Sequence, residues 1–217
     1  MLQEMLNELV TCTRCSFANK HFPPLAPVRL AEHAKIMFVG ENPSWEFGQR
    51  VPFDGITNSG LALHEHYLVP LRKAYGLKES DLWITDLFKC RYPKDVYRQK
   101  VSQQELIAKN ANTCATIWLV QEIRYTQPVV IITLGDKEVY QRLRTTFSLP
   151  GAARFADAAY KLNDIEIAGH RCKLLPACHP DISFDNSRKP IPSRKWSKLH
   201  SAEFVSSLQG VLARGVA

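Results

Sequence analysis

With 217 residues, 45% hydrophobic and 23% charged, the chain has the size and composition of one globular domain with a sizeable core. Lys and Arg outnumber Asp and Glu by 28 to 21, a net charge of +7 that mildly favours a polyanionic partner. No apolar run approaches the ~20 residues of a membrane-spanning helix, so a membrane partner is not expected. Leu2, Met5, Leu6 and Leu9 recur at helical spacing among Gln3, Glu4, Asn7 and Glu8. The N-terminus therefore reads as an amphipathic helix rather than a signal peptide, and the expected location is the cytoplasm.

The first strand is the apolar run Ile36-Met37-Phe38-Val39, which enters the loop Gly40-Glu41-Asn42-Pro43-Ser44 and, further on, Pro52-Phe53-Asp54-Gly55. Open α/β folds build their sites at the carboxyl ends of strands. An acid, an amide and an aromatic plate in that position describe a pocket for a planar polar ring. Asn58 to Tyr75 predicts a helix opened by a capping amide, closed at Gly76 and kinked or split by Pro70. Leu82 to Thr85 is the second strand. Glu105 to Tyr125 is a long helix with Ile107, Cys114, Ile117, Trp118, Val120 and Ile123 facing inward. Val129 to Leu134 is the third strand, and Asp136 to Phe147 the helix after it. Pro150 to Asp164 reads as a surface excursion. Lys173 to Leu175 is the fourth strand, with Ile165 to Ala168 as a candidate hairpin partner around Gly169-His170, and Ser197 to Leu212 is a closing helix. This alternation predicts an α/β fold: a three-layer α/β/α sandwich around a central, mostly parallel four-stranded sheet, in a single domain over 1–217.

In a reducing compartment the six cysteines read as metal ligands or free thiols rather than disulfides. Cys12 and Cys15 form a short chelate that needs two more ligands. Cys90 follows the second strand and Cys114 faces inward on the long helix. Four thiolates suit zinc or an iron–sulfur cluster, and spacing alone does not separate them. The plainer reading makes Cys90 and Cys114 small buried residues, and that reading is adopted for Cys172 and Cys178. The run from Arg188 to Lys198, with Lys189, Arg194, Lys195 and Trp196, is basic and stiffened by Pro190 and Pro192. It is either a solvated loop or a segment that grips nucleic-acid phosphates.

Six fragments in order carry a family resemblance: Cys12-Thr13-Arg14-Cys15, Gly40-Glu41-Asn42-Pro43, Pro52-Phe53-Asp54-Gly55, Trp83 through Arg91, Val130 through Gly135, and Leu175-Pro176-Ala177-Cys178-His179-Pro180. In these the chain resembles the uracil-DNA glycosylase superfamily, and within it the iron–sulfur-containing family 4. The resemblance implies a DNA glycosylase that acts on DNA, with a 4Fe-4S cluster on Cys12, Cys15, Cys90 and Cys114; separately, the protein is expected to be a monomer. The gap from Cys90 to Cys114 is longer than the family's usual spacing.

Glycosidic hydrolysis generates a sugar with oxocarbenium character and an anionic departing base, so the enzyme must flip the nucleotide, grip the base and place a water. The resemblance gives His179 the role of donor to the base oxygen that gathers charge. Glu41 and Asn42 handle the water: Asn42 orients it through its carbonyl, and Glu41 acts as base or stabilises the sugar cation. The alternatives are a structural His179 and a Glu41 that caps its own turn. Phe53 stacks on the base unless it is an ordinary core residue. Where uracil-specific members carry Asn, this chain has Asp86. An ionised carboxylate only accepts hydrogen bonds and would face uracil O4, another acceptor. A protonated Asp86 accepts from the N4 amino group of cytosine and donates to N3, and burial favours that neutral form. Ser44 is small where some relatives block substituents at ring position 5, although Trp45 or Phe47 stand ready to replace that gate. The expected substrate is therefore a 5-modified cytosine, as in phage DNA, in a defensive role. The alternatives are an ordinary uracil-excising repair enzyme, a non-catalytic nucleic-acid-binding protein, and a zinc-stapled nucleotide binder.

Overall fold

In a computed structural model the described residues are 2–18, 24–27, 32–43, 50–91, 102–180, 199–200 and 202–213, the side chain of Lys137 excepted. Helix α1 covers Leu2–Val10, with Met5 and Leu9 buried as its spacing predicts. Five strands form one sheet: β1 Ile36–Gly40, β2 Leu82–Asp86, β3 Val130–Leu134, β4 Asn163–Ile167 and β5 His170–Ala177, in the order β2-β1-β3-β5-β4. β1, β2 and β3 are buried at every residue. That burial requires helices on both faces of the sheet, as in a three-layer sandwich.

The sheet has five strands and not four. β4 pairs antiparallel with β5 and alternates buried with exposed residues, with Asp164 and Glu166 outward, so its sequence lacks the continuous apolar run of its neighbours. Ala168 and Gly169, at φ 53° and 81°, form the two-residue turn between them.

Helix α2 runs through Asn58–Leu63, a wider turn at His64–Leu68, and Val69–Tyr75, ending on Gly76 at φ 63°. Its cap is Thr57, one residue ahead of the predicted Asn58; the Thr57 hydroxyl accepts from Gly60 N–H at 2.9 Å. Pro70 neither splits the helix nor ends it. It lies just past the five-residue-spaced turn, in which Val69 N–H bonds His64 O, and it has no N–H of its own to donate. Helix α3 likewise combines Gln104–Cys114, Ala115–Leu119 and Val120–Thr126, and α4 combines Asp136–Gln141 with Arg142–Thr146. Ile107, Cys114, Trp118 and Ile123 of α3 are buried, and Ile117 and Val120 are partly so. A short helix α5 (Phe155–Ala158) and a C-terminal helical segment over 202–207 complete the described elements that shape the site. No helix among the described residues is long and apolar enough to cross a membrane.

β1, β2, β3 and β5 are parallel, so their carboxyl ends share one edge. The chain passes from β1 to β2 on one side of it and then from β2 back past β1 to β3 on the other, a reversal that opens a crevice at that edge.

Candidate active site

The ladder between β1 and β2 continues past both strands: Leu87 N–H donates to Gly40 O at 2.8 Å and Phe88 N–H to Glu41 O at 2.9 Å. Backbone pairing thus fixes Glu41, partly exposed, beside the end of β2. The Asn42 amide nitrogen donates to Pro43 O at 2.9 Å, so its side-chain carbonyl is the end left to meet a ligand.

The Pro52–Gly55 loop is built around Asp54. Its carboxylate accepts from Arg50 N–H at 3.1 Å and Ile56 N–H at 3.3 Å, and its carbonyl accepts from the Thr57 hydroxyl at 2.8 Å. Gly60 closes the loop from below, since a Cβ there would lie 2.0 Å from Asp54 O. Phe53 is held at φ 50°, a left-handed backbone that costs a side-chain-bearing residue roughly 1 kcal/mol or more. Phe53 is partly buried and packs against the core. Its ring lies over Gly40, where an added Cβ would meet Phe53 Cε2 at 2.4 Å and Asp86 Oδ1 at 2.3 Å. A glycine at the end of β1 is what lets the aromatic plate and the carboxyl approach one another.

Asp86 is 2% exposed, and its Oδ2 is buried without a hydrogen-bond partner among the described residues. Burial pushes the carboxyl up to about 7; the Lys89 ammonium opposes the rise, and Glu41 and Glu122 add to it. Buried acids with raised pKa values gather at functional sites, which makes Asp86, at the carboxyl end of β2, a candidate site residue. His179, two residues past β5, is partly exposed, and its ring centroid lies 6.4 Å from that of Phe53. Gly135, at the end of β3, has only the His179 Cβ and Val139 within reach of an added Cβ. Glu41, Asn42, Phe53, Asp86 and His179 are therefore gathered along one sheet edge from four separate stretches of chain. Ser44, Trp45 and Phe47 lie outside the described residues, as do Arg188, Lys189, Arg194 and Lys195.

Cys12, Cys15, Cys90 and Cys114 line one narrow cavity with Arg14, Pro24 and Trp118. Among the described residues no three acid, thiol or imidazole side chains are placed to hold a single metal ion. Burial first, and the neighbouring thiols second, push Cys90 up to about 12. Burial takes Cys114 to about 12 as well, against the pull of Lys89. The Lys89 N–H also donates to Cys114 Sγ at 3.3 Å. The four thiols line one cavity, and a cationic centre placed there would offset the burial that holds Cys15, Cys90 and Cys114 protonated.

Two buried polar groupings go beyond the sequence reading. Lys89, 1% exposed, donates to Thr85 Oγ1 at 2.5 Å and Asp86 O at 2.6 Å and faces Glu122 Oε1 at 2.6 Å; Trp83 Nε1 donates to Glu122 Oε2 at 3.1 Å. Glu122 falls four residues after Trp118 on the buried face of α3, and an acid at that spacing was the readable signal. Cys172 and Cys178 are buried, as read, but Cys178 also joins Tyr67, Tyr160 and His200 in a hydrogen-bonded group.

The family profile described as the Uracil DNA glycosylase superfamily matches residues 27–202. The chain belongs to that superfamily. It is a DNA glycosylase, a hydrolase of N-glycosyl bonds. The chain is 24% identical over 180 residues to the type-4 uracil-DNA glycosylase of Archaeoglobus fulgidus, covering 82% of this chain and 81% of that protein. It is 26% identical over 187 residues to the type-4 enzyme of Saccharolobus solfataricus (85% and 78% covered). The match to that of Sulfurisphaera tokodaii is 24% over 189 residues (85% and 76% covered). The matched residues 27–202 span all five strands of the sheet.

Proposed function

We propose that this glycosylase removes a 5-modified cytosine from DNA and that Asp86 reads the base. The observation that carries the proposal is the buried Oδ2 of Asp86, without a hydrogen-bond partner among the described residues, on a carboxyl that is pushed up to about 7 and whose Oδ1 closes on Gly40 together with the Phe53 ring. A pyrimidine stacked on Phe53 would present its Watson–Crick edge to that carboxyl. Cytosine N3 is basic, so the acid and N3 share one proton while N4–H donates to the other carboxyl oxygen. This pair is complete whichever partner holds the proton, and it gains from charge assistance. An amide, which has no proton to share, gains nothing comparable.

In this reading His179 donates to the base oxygen on which negative charge gathers as the bond breaks. The Asn42 carbonyl and Glu41 hold water towards the anomeric carbon, and Glu41 also faces the sugar as it becomes cationic. Ser44 leaves room at ring position 5, and Arg188, Lys189, Arg194 and Lys195 grip phosphates. A target foreign to the host's own DNA, such as a modified phage base, fits an enzyme that must spare plain cytosine. Cys12, Cys15, Cys90 and Cys114 would hold a 4Fe-4S cluster. The four cysteines on one cavity support this reading, and zinc is the alternative for the same thiol set.

A second reading keeps uracil as the target. Near neutral pH the Asp86 acid donates to O4 and accepts from N3–H, and the relatives named above are uracil-DNA glycosylases. Asp86→Asn separates the two. If Asp86 reads a cytosine-type base, the variant shifts preference towards uracil; an unchanged preference rules out that role.

A further inference from the structure

Cys178 immediately precedes His179, and both polar groups of its backbone are held by tyrosine hydroxyls. The Cys178 N–H donates to Tyr160 Oη at 3.3 Å, and the Cys178 carbonyl accepts from Tyr67 Oη at 2.5 Å. That carbonyl and the His179 N–H belong to one planar peptide unit. Tyr67 therefore sets the tilt of the plane from which His179 emerges. The Cys178 sulfur lies against the same two hydroxyls.

The His200 tautomer follows from its neighbours. His200 Nε2 lies 2.9 Å from His66 O, which only accepts, so Nε2 carries the hydrogen and Nδ1 is the bare nitrogen. Tyr160 Oη, 3.1 Å from Nδ1, then donates to it and keeps its own lone pairs for the Cys178 N–H. Pro70, four residues on from His66, has no N–H to compete with His200 for that carbonyl. The rings lock the arrangement: His200 stacks on Phe204 at 4.6 Å and 18°, and Tyr67 lies 4.3 Å from His200. Tyr67, Tyr160, Cys178 and His200 are each at most 5% exposed. A buried polar set of this kind stabilises a fold less readily than apolar filling, but fully satisfied it holds one geometry.

We propose that Tyr67, Tyr160 and His200 are positioning residues, which fix the Cys178–His179 peptide and aim the His179 imidazole at the departing base. The proposal rests on the reading of His179 as the donor to that base. Single-turnover excision is measured for Tyr67→Phe and Tyr160→Phe in the native and His179→Ala backgrounds. The substrate is duplex DNA carrying uracil or 5-hydroxymethylcytosine, whichever the native enzyme cleaves faster. Each Phe variant is expected to lose about 10- to 100-fold in rate while keeping DNA affinity, as misplacement of a reacting group does. In the His179→Ala background the same changes cost nothing further. An equal loss in both backgrounds, or no loss in the native one, overturns the positioning role while leaving that of His179 intact. Native rates in His179→Ala overturn the His179 reading and the positioning with it. Should a Phe variant not fold, His200→Asn keeps an acceptor near the Nδ1 position and His200→Leu does not; faster excision by the Asn variant supports the proposal, and equal rates overturn it.

Discussion

Replacing Asp86 by Asn has a consequence for stability that needs no knowledge of the substrate. Burial raises this carboxyl from 3.8 to about 7. At 1.36 kcal/mol per unit, the shift amounts to about 4 kcal/mol against the ionised form. The folded chain holds this proton to higher pH than the unfolded chain does. Between about pH 4 and pH 7 the native state therefore binds more protons, and stability falls as pH rises. The contribution of the neutral acid is complete below pH 4 and gone above pH 7. Asn has nearly the same shape and does not titrate, so the stability of Asp86→Asn relative to the native protein climbs across that window and then levels. For a domain of this size, ~4 kcal/mol corresponds to roughly 8–16 °C in Tm as an upper bound. Melting both proteins near pH 4.5 and near pH 8.5 gives the difference directly. An unpaired buried amide moves the gap by a constant and leaves its pH dependence untouched. A gap that is the same at both pH values refutes the account of Asp86 as a buried acid forced towards neutrality.

Other substitutions probe the remaining parts of the site. Gly40→Ala drives a methyl into the Phe53 ring and the Asp86 carboxyl, and is expected to cost about 1–3 kcal/mol in denaturant titrations and to abolish excision. Lys89→Met strands Glu122 in the core and should cost about 3–5 kcal/mol, whereas Lys89→Met with Glu122→Gln recovers most of it; equal stability of the two variants would show that the pair is not coupled. Phe53→Ala removes a stacking surface worth about 1–3 kcal/mol, read as weaker binding of DNA carrying the target base with unchanged affinity for undamaged DNA. Cys114→Ser should abolish any brown colour of the purified protein and lower its iron content; full retention of both would remove Cys114 from the ligand set.

The parallel strands were legible because β1 and β3 are continuous apolar runs, as strands covered on both faces must be. β4 was harder, since Asp164 and Glu166 point outward from an edge strand and dilute its apolar signal. The wide turns in α2, α3 and α4 carry no residue signature, apart from Pro70, whose missing N–H gives a reason for the one before it. At the site, Glu41, Asn42, Phe53 and Asp86 could be read because each follows a strand or a Pro–Gly punctuation. Glu122 and Trp83, 39 residues apart, and Tyr67 and Cys178, 111 apart, meet only when the sheet assembles. Periodicity reports which face of an element is buried, not which polar atoms meet beneath it.

The central claim is that a DNA glycosylase scaffold presents an acid, and not an amide, to a cytosine-type base. The most direct measurement incubates the protein with duplexes that differ only in carrying uracil, hypoxanthine, cytosine or a 5-modified cytosine, and scores abasic sites. The account predicts abasic sites in the 5-modified cytosine duplex and few in the uracil duplex. Efficient cleavage at uracil with the modified cytosines left intact would contradict it.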